Sequence, residues 1–250
     1  MSAGELAASA TLVGRASAAL ASLGLDLVQP FRADLHGRVR PDQLGLPQAP
    51  RPDGLGLVIG ASRALWPEFT AALCALPVLA DGEAPLETWI DEGVRTALAS
   101  LGVSFALRFA HDPPPRVAIQ RLAVLAGLAP LGPAGLVSHP EYGPWISLRA
   151  VVLFDAPGPR EPAVPPVAPC AGCVAPCAAA LDSAREGRPL PPAVIGANWR
   201  RWLAVRDACP IGRAERYDEM QIRYHYDAVA RPAILRALAS GRAPTLDSGD

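Results

Sequence analysis

The sequence predicts an α+β fold: a mixed sheet flanked by helices, followed by a helical C-terminal part that carries cysteines. Three observations lead there. Through the first 156 residues, apolar runs with strand periodicity alternate with runs of helical periodicity. A run with six prolines, PGPREPAVPPVAP at 157–169, then interrupts regular structure. Beyond it the apolar spacing is helical, and three of the five cysteines fall within eight residues. The expected organisation is a core over 1–156, a linker over 157–169, and a Cys-containing helical region over 170–245 packed on the core.

The elements follow in order. MSAGELAASATLVGRASAAL has Glu5 early and lacks the basic start and apolar stretch of a signal peptide, so it reads as an amphipathic helix. LGLVIGAS at 55–62 is a short apolar run after a Pro-Asp-Gly turn, expected as a buried strand. Ser62 is placed to cap a helix that buries Leu65, Phe69, Ala72, Leu73 and Leu76, with Cys74 packed in the core and Pro67 tolerated in the first turns. Leu86, Ile90, Val94 and Leu98 recur at helical spacing, and Gly102 suits the end of that helix. Val103, Phe105, Leu107 and Phe109 alternate as in a strand. A helix is expected from Pro115 to about Gly127, a central strand over 145–156, and helices near 192–208, 214–227 and 231–240. The tail TLDSGD is expected to fray.

Composition excludes several function classes. The net charge is −1 and every one of the 23 basic residues is arginine, so the excess positive charge of a general nucleic-acid binder is missing. No run of 18 apolar residues is present, which argues against a membrane span and for a cytoplasmic protein with reduced thiols. In that compartment a cysteine cluster points to a metal or to redox chemistry rather than to disulfides.

The stretch 126–154 crowds Gly127, Gly132, Gly135 and Gly143 around the entry to a strand. Glycine allows close backbone approach, so this is either a surface for a large flat ligand or a set of tight turns feeding the strand. Composition alone favours the turns.

The residues here resemble two corrinoid families. His139, Pro140, Tyr142, Gly143, Trp145, Leu148, Arg149, Val151, Val152 and Leu153 are similar to a series in the CblC-type cobalamin-processing proteins (the MMACHC family). Ala126, Gly127, Leu128, Gly132, Pro140, Glu141, Tyr142 and Gly143 are similar to the cobalamin-facing stretch of the epoxyqueuosine reductases. NWRRWLAVRDACPIGRAERYDEMQ again resembles CblC, as do QPFRADLHGRV and LGLVIGASRALWPEF, so the likeness spans most of 25–240. The resemblance implies a nitroreductase-like α+β fold that binds cobalamin along Gly127, Gly132, Gly135, His139, Tyr142, Gly143 and Trp145. It implies an arginine set, Arg149, Arg206 and Arg231, for glutathione, and places Trp202 near the corrinoid. His139 is a candidate cobalt ligand or hydrogen-bond partner, or a residue that caps the strand entry.

Departures narrow this. Val124 stands where CblC has a histidine, so a cobalt contact from that position is lost. Pro133 replaces the lysine of the epoxyqueuosine reductases, Asp112 before Pro113 is the nearest match to their catalytic acid, and their repeat domain has no counterpart. These differences argue against tRNA as a substrate.

Cys170-x2-Cys173-x3-Cys177 matches the last three cysteines of a ferredoxin run without its following proline, and Cys209 precedes Pro210. Four thiolates would hold one [4Fe-4S] cluster; a zinc site built from four cysteines uses the same donors, and a metal-free group is the third reading. The leading expectation is a protein that removes the upper ligand of cobalamin or reduces its cobalt, with a cluster or an electron-donor protein as source. The alternatives are a corrinoid and iron–sulfur reductase of a separate small substrate, a cobalamin carrier, and an FMN enzyme of nitroreductase type.

Overall fold

The computed structural model describes residues 3–164, 168–185 and 198–242. Four strands form one sheet in the order β1-β2-β4-β3: β1 Leu27–Arg32, β2 Gly54–Ala61, β3 Phe105–Phe109 and β4 Ser147–Pro157. All three pairings are antiparallel. The α+β class stands, but the strands are not a mixture of parallel and antiparallel, because each neighbour in the sheet enters from the opposite end.

The two central strands are the ones whose apolar runs are unbroken. β2 is buried at all eight positions. Its Leu55, Leu57 and Ile59 share one face with Ala150, Val152 and Phe154 of β4. Val58, Val151 and Leu153 point to the other face, as a period of two requires. The first face is covered by α1 Ala3–Ala21, α2 Leu65–Ala75 and α3 Pro85–Ala99, with Leu12, Leu20, Phe69, Leu73, Ile90 and Val94 buried. The second is covered by α4 Ile119–Leu125, which contributes Leu122 and Ala123. Burying both faces supplies the bulk of the stabilisation, because apolar area removed from water is worth roughly 25 cal/mol per Å².

The C-terminal helices are α5 Pro176–Arg185, α6 Trp199–Asp207, α7 Glu219–Tyr226 and α8 Arg231–Ala239. Ile234, Leu235 and Leu238 of α8 and Tyr224 of α7 join the first core. A third cluster forms from Trp145, Trp199, Leu203, Tyr217 and Ile222. No helix among the described residues is long and apolar enough to cross a membrane.

Several expectations are corrected. Ser62 is not the N-cap of α2, which is Ala64; its hydroxyl accepts from the Ala64 N–H at 3.2 Å, while hydroxyl and N–H donate to Asp26, at 2.6 and 2.8 Å, and so fasten the end of β2 to the entry of β1. The helix stops at Ala75, which leaves Leu76 outside the core and 51% exposed. Cys74 is exposed too, its thiol donating to the Leu238 carbonyl at 3.1 Å. α4 begins at Ile119 rather than Pro115, since three consecutive prolines lack the N–H groups and backbone freedom a helix needs. The expected helix over 192–208 is seen from Trp199, and 192–197 and the tail from 243 lie outside the described residues. The segment near 214–227 splits into a short turn of helix at Arg213–Glu215 and α7.

Candidate functional site

Two cavities lie on either side of the segment 136–146. The larger, about 190 Å³, is an apolar slot walled by Ile119, Leu136, Ile146 and Leu148, with Gln120, Ser147 and Arg206 as its polar groups. The smaller, about 20 Å³, has room for a single water and is lined by Cys170, Cys177, Cys209 and Ser138. Leu136 and Pro144 line both, so one layer of side chains separates them.

The glycines serve turns and one clamp. Gly132 and Gly135 close the turn that leads to Leu136, through Gly132 N–H to Leu136 O at 2.8 Å and Gly135 N–H to Gly132 O at 3.0 Å. Gly127 turns the chain past Ala163 and Val164 of the Pro-rich segment. Gly143 is different in kind. It has φ +56, and a Cβ there would stand 2.1 Å from the Ile211 carbonyl oxygen. The turn His139–Gly143 is therefore seated directly on the loop that follows Cys209.

His139 closes this turn by backbone bonds with Gly143, at 2.8 and 2.9 Å. Its ring stacks on Tyr142, 4.7 Å between centroids, and Nδ1 accepts from the N–H groups of Glu141 and Tyr142 at 3.2 and 3.4 Å. Burial lowers its pKa, so the ring is neutral, and with Nδ1 accepting, the proton sits on Nε2. In that tautomer Nε2 is a donor rather than a metal ligand. Burial also pushes the Tyr142 hydroxyl up. Trp145 is 1% exposed. The guanidinium groups of Arg206 and Arg216 lie 5.8 and 5.5 Å from its ring, and Tyr217 meets it edge-on at 5.5 Å. Trp202 of α6 keeps its indole Nε1 buried and, among the described residues, without a partner. Asp112 does not line the slot; it accepts from Phe109 N–H at 2.9 Å and sits 3.7 Å from Arg108 at the end of β3.

Arg149 of β4, Arg206 of α6 and Arg231 of α8 all lie within electrostatic reach of His225 of α7, and Arg231 touches it. Burial holds the His225 pKa well below its ordinary 6.5, and Arg149, Arg206 and Arg231 each press it down further. Arg149 is itself lowered by burial, with Arg206 acting in the same direction while Tyr217, Glu87 and Tyr224 oppose. Arg149 donates to Ser147 Oγ at 3.1 Å, and Arg231 donates to the carbonyls of Tyr224 and His225 at 2.7 and 3.2 Å. Among the described residues none of the three pairs with a carboxylate at ion-pair distance. Aromatic walls close the group: Tyr226 lies 6.0 Å from Arg206 and Tyr224 5.5 Å from Arg231, and burial pushes Tyr224 up to about 12. Three cations without a carboxylate at ion-pair distance repel one another, with Glu87 only partly offsetting this, and an anion placed among them relieves that repulsion.

The cysteines come together from two segments. α5 packs against α6 and brings Cys177 to Cys209 just beyond α6. Burial pushes the Cys170 thiol up, and the sulfurs of Cys209, Cys177 and Cys173 add to it. Burial likewise raises Cys209, while the Ile211 N–H and the Ser138 hydroxyl pull it back. Ala175 N–H donates to Cys173 Sγ at 3.4 Å. All four are free thiols. Among the described residues no three His, Cys, Asp or Glu side chains stand at metal-holding distances, so the expected four-thiolate geometry is corrected to a neighbourhood. Neutral thiols do not draw one another to a shared point, and only a cation does. The sulfurs nonetheless share one polar setting: two receive backbone N–H bonds, and the buried Ser138 hydroxyl bonds to that of Cys209.

Sequence reasoning missed His225 and Ser138. Only their long-range neighbours distinguish them, and no local spacing carries that signal.

The fold is of the kind seen in the CblC proteins. It superposes on a Caenorhabditis elegans B12-trafficking protein CblC, described as a homologue of human MMACHC, with TM-score 0.66 and 16% identity over 93% of this chain and 97% of the other. An epoxyqueuosine reductase follows, with TM-score 0.50 and 14% identity over 94% and 80% of the two chains. In sequence the chain is similar to the human cyanocobalamin reductase / alkylcobalamin dealkylase, 29% identical over 232 residues, 85% of this chain and 76% of the human protein. No family model matches. The likeness to CblC read from the sequence is borne out for the chain as a whole.

Proposed function

We propose that this protein binds cobalamin and processes it, by removing the upper axial ligand or reducing the cobalt. The observation that carries the reading is the apolar slot edged by Arg206, which with Arg149 and Arg231 lacks a carboxylate at ion-pair distance among the described residues, in a chain similar over 85% of its length to a cobalamin reductase and dealkylase. The slot takes an edge of the corrin. Arg149, Arg206 and Arg231 hold the carboxylates of glutathione, because guanidinium grips carboxylate in paired hydrogen bonds. The same cations favour the thiolate over the thiol. In dealkylation the thiolate sulfur bonds to the alkyl carbon, the carbon–cobalt electron pair stays on cobalt, and the thiol proton goes to solvent. In decyanation a reduced electron-donor protein gives up an electron to cobalt, is itself oxidised, and cyanide leaves.

Cys170, Cys173, Cys177 and Cys209 are the residues that would hold a [4Fe-4S] cluster, with zinc the competing occupant. When bound, such a cluster supplies single electrons, and the wall of Leu136 and Pro144 is all that separates its cysteines from the slot. A cytoplasmic setting keeps these thiols reduced, and a small electron-donor protein is the partner such a centre needs. The test is titration of anaerobically purified protein with hydroxocobalamin, following the corrin spectrum and tryptophan fluorescence. Binding perturbs the corrin bands or quenches the fluorescence; no change at micromolar concentrations refutes the reading. The spectrum of the protein as purified separates cluster and flavin bands from zinc, which has none. Turnover of a separate small substrate with cobalamin left unaltered at the end would favour the reductase alternative instead.

A further inference from the structure

One imidazole stands among the arginines with no hydrogen bond of its own. His225 is half-buried, and among the described residues its ring nitrogens bond to no protein group. Aromatic rings hold it instead: Tyr224 meets it edge-on at 5.3 Å, Tyr217 lies 6.0 Å away and Trp66 of α2 6.3 Å. The same run of rings carries two of the arginines. Arg206 lies 5.8 Å from Trp145, which is itself 5.5 Å from Tyr217. Arg231 lies 5.5 Å from Tyr224 and donates to the His225 carbonyl at 3.2 Å. Packing therefore fixes the ring between Arg206 and Arg231 and leaves its polar atoms for a partner from outside the chain.

The groups that act on this ring are Arg149 of β4, Arg206 of α6 and Arg231 of α8, with Tyr217 and Tyr224 packed against it. The carboxylate that acts on the cluster, Glu87 of α3, bears on Arg149 and Tyr224 rather than on the ring. Burial and three cations keep the imidazole neutral in the free protein. A carboxylate lodged among the arginines cancels part of their field, and a further positive charge then becomes favourable. We propose that His225 is a fourth ligand-binding member of the arginine site, taking a proton from solvent as a carboxylate ligand enters and donating a hydrogen bond to it. This rests on the reading of Arg149, Arg206 and Arg231 as the carboxylate site. One proton moves from water to the imidazole, and the ligand arrives and stays ionised, so no other group changes charge. An imidazolium donating to a carboxylate makes one of the stronger hydrogen bonds available to a side chain. The ring holds its proton more tightly with ligand than without, so binding takes up a proton and tightens as pH falls. A ring kept only for packing would show neither effect.

Glutathione is the probe, because its carboxylates, amine and thiol keep their charges near about pH 6. Calorimetry at that pH in two buffers of different ionisation enthalpy counts the protons bound with each ligand. Wild type should take up a fraction of a proton per glutathione, and its Kd should fall by roughly three- to tenfold from about pH 7.5 to about pH 5.5. His225→Gln keeps a planar polar side chain that does not titrate; it should bind without that uptake and with a flat Kd over the same range. Equal uptake in wild type and variant, or none in either, overturns this inference alone. Should the variant fail to fold, ring-proton NMR of wild type decides, with the other three histidines assigned by single substitution. The His225 pKa should rise when glutathione is added, and a pKa that does not move overturns the inference. Wild type that binds no glutathione overturns the arginine reading and this inference with it.

Discussion

Gly143→Ala probes the clamp between the two site-bearing loops. Gly143 holds φ +56, and an added Cβ would lie 2.1 Å from Ile211 O, a backbone atom that no side-chain rotation can move away. The left-handed conformation costs a residue with a Cβ about 1–2 kcal/mol. The overlap adds an overpacking cost of about 1–3 kcal/mol, giving ~2–5 kcal/mol in all. In a chain of this size each kcal/mol lowers Tm by about 2–4 °C, so a fall of roughly 4–20 °C is expected in a circular-dichroism melt. The displacement propagates in a definite direction, because Ile211 and Gly212 follow Cys209 by two and three residues and Trp145 N–H donates to Tyr142 O at 3.0 Å. Near-ultraviolet signals from Trp145 should change along with Tm, and hydroxocobalamin should bind more weakly. A Tm within about 2 °C of wild type, with binding unaltered, would refute the reasoning that this turn is locked onto the Cys209 loop.

The other predictions concern charge, metal and pH. Arg206→Ala should weaken glutathione binding by about 10- to 100-fold in calorimetry, the worth of one charge-assisted hydrogen bond of about 1.5–3 kcal/mol; an unaltered Kd would remove Arg206 from the anion site. Cys209→Ala should lose or destabilise the metal centre, which in wild type should contain about four iron and four sulfide per chain, whereas the exposed Cys74→Ala should retain it. Because His225 is held neutral well below its ordinary 6.5, the unfolded chain takes up a proton that the folded one refuses, so stability should decline as pH falls below 6.5. His139, lowered by burial, adds to the same slope. His225→Gln should flatten the fall of Tm between about pH 6.5 and 5; the same slope in wild type and variant would contradict the assignment.

The parts of the fold legible in the sequence are those whose side-chain period is unbroken. Leu86, Ile90, Val94 and Leu98 mark α3, and the apolar runs 55–61 and 145–156 mark the two central strands. β1 escaped because Pro30 and Gln29 interrupt its pattern; proline is tolerated there since β1 is an edge strand with one neighbour. α5 escaped because an Ala-rich stretch after Pro176 has little apolar contrast to show a face. Of the site, the clustering of Cys170, Cys173 and Cys177 is local and visible. The approach of Cys209 needed the packing of α5 on α6. Nothing local separates Arg149, Arg206 and Arg231 from the other arginines, and it was the resemblance to CblC that singled them out. Ser138 and His225 acquire meaning only from what folding places beside them.

Anaerobic incubation of the purified protein with cyanocobalamin or methylcobalamin, a reductant and glutathione tests the central claim most directly. Cobalamin processing predicts conversion of the corrin spectrum to that of reduced cobalt, with cyanide released or the methyl group recovered on glutathione sulfur, and Arg206→Ala slower than wild type. Cobalamin that binds but returns unchanged under these conditions, at a rate no different from buffer alone, would contradict it and leave a carrier in its place.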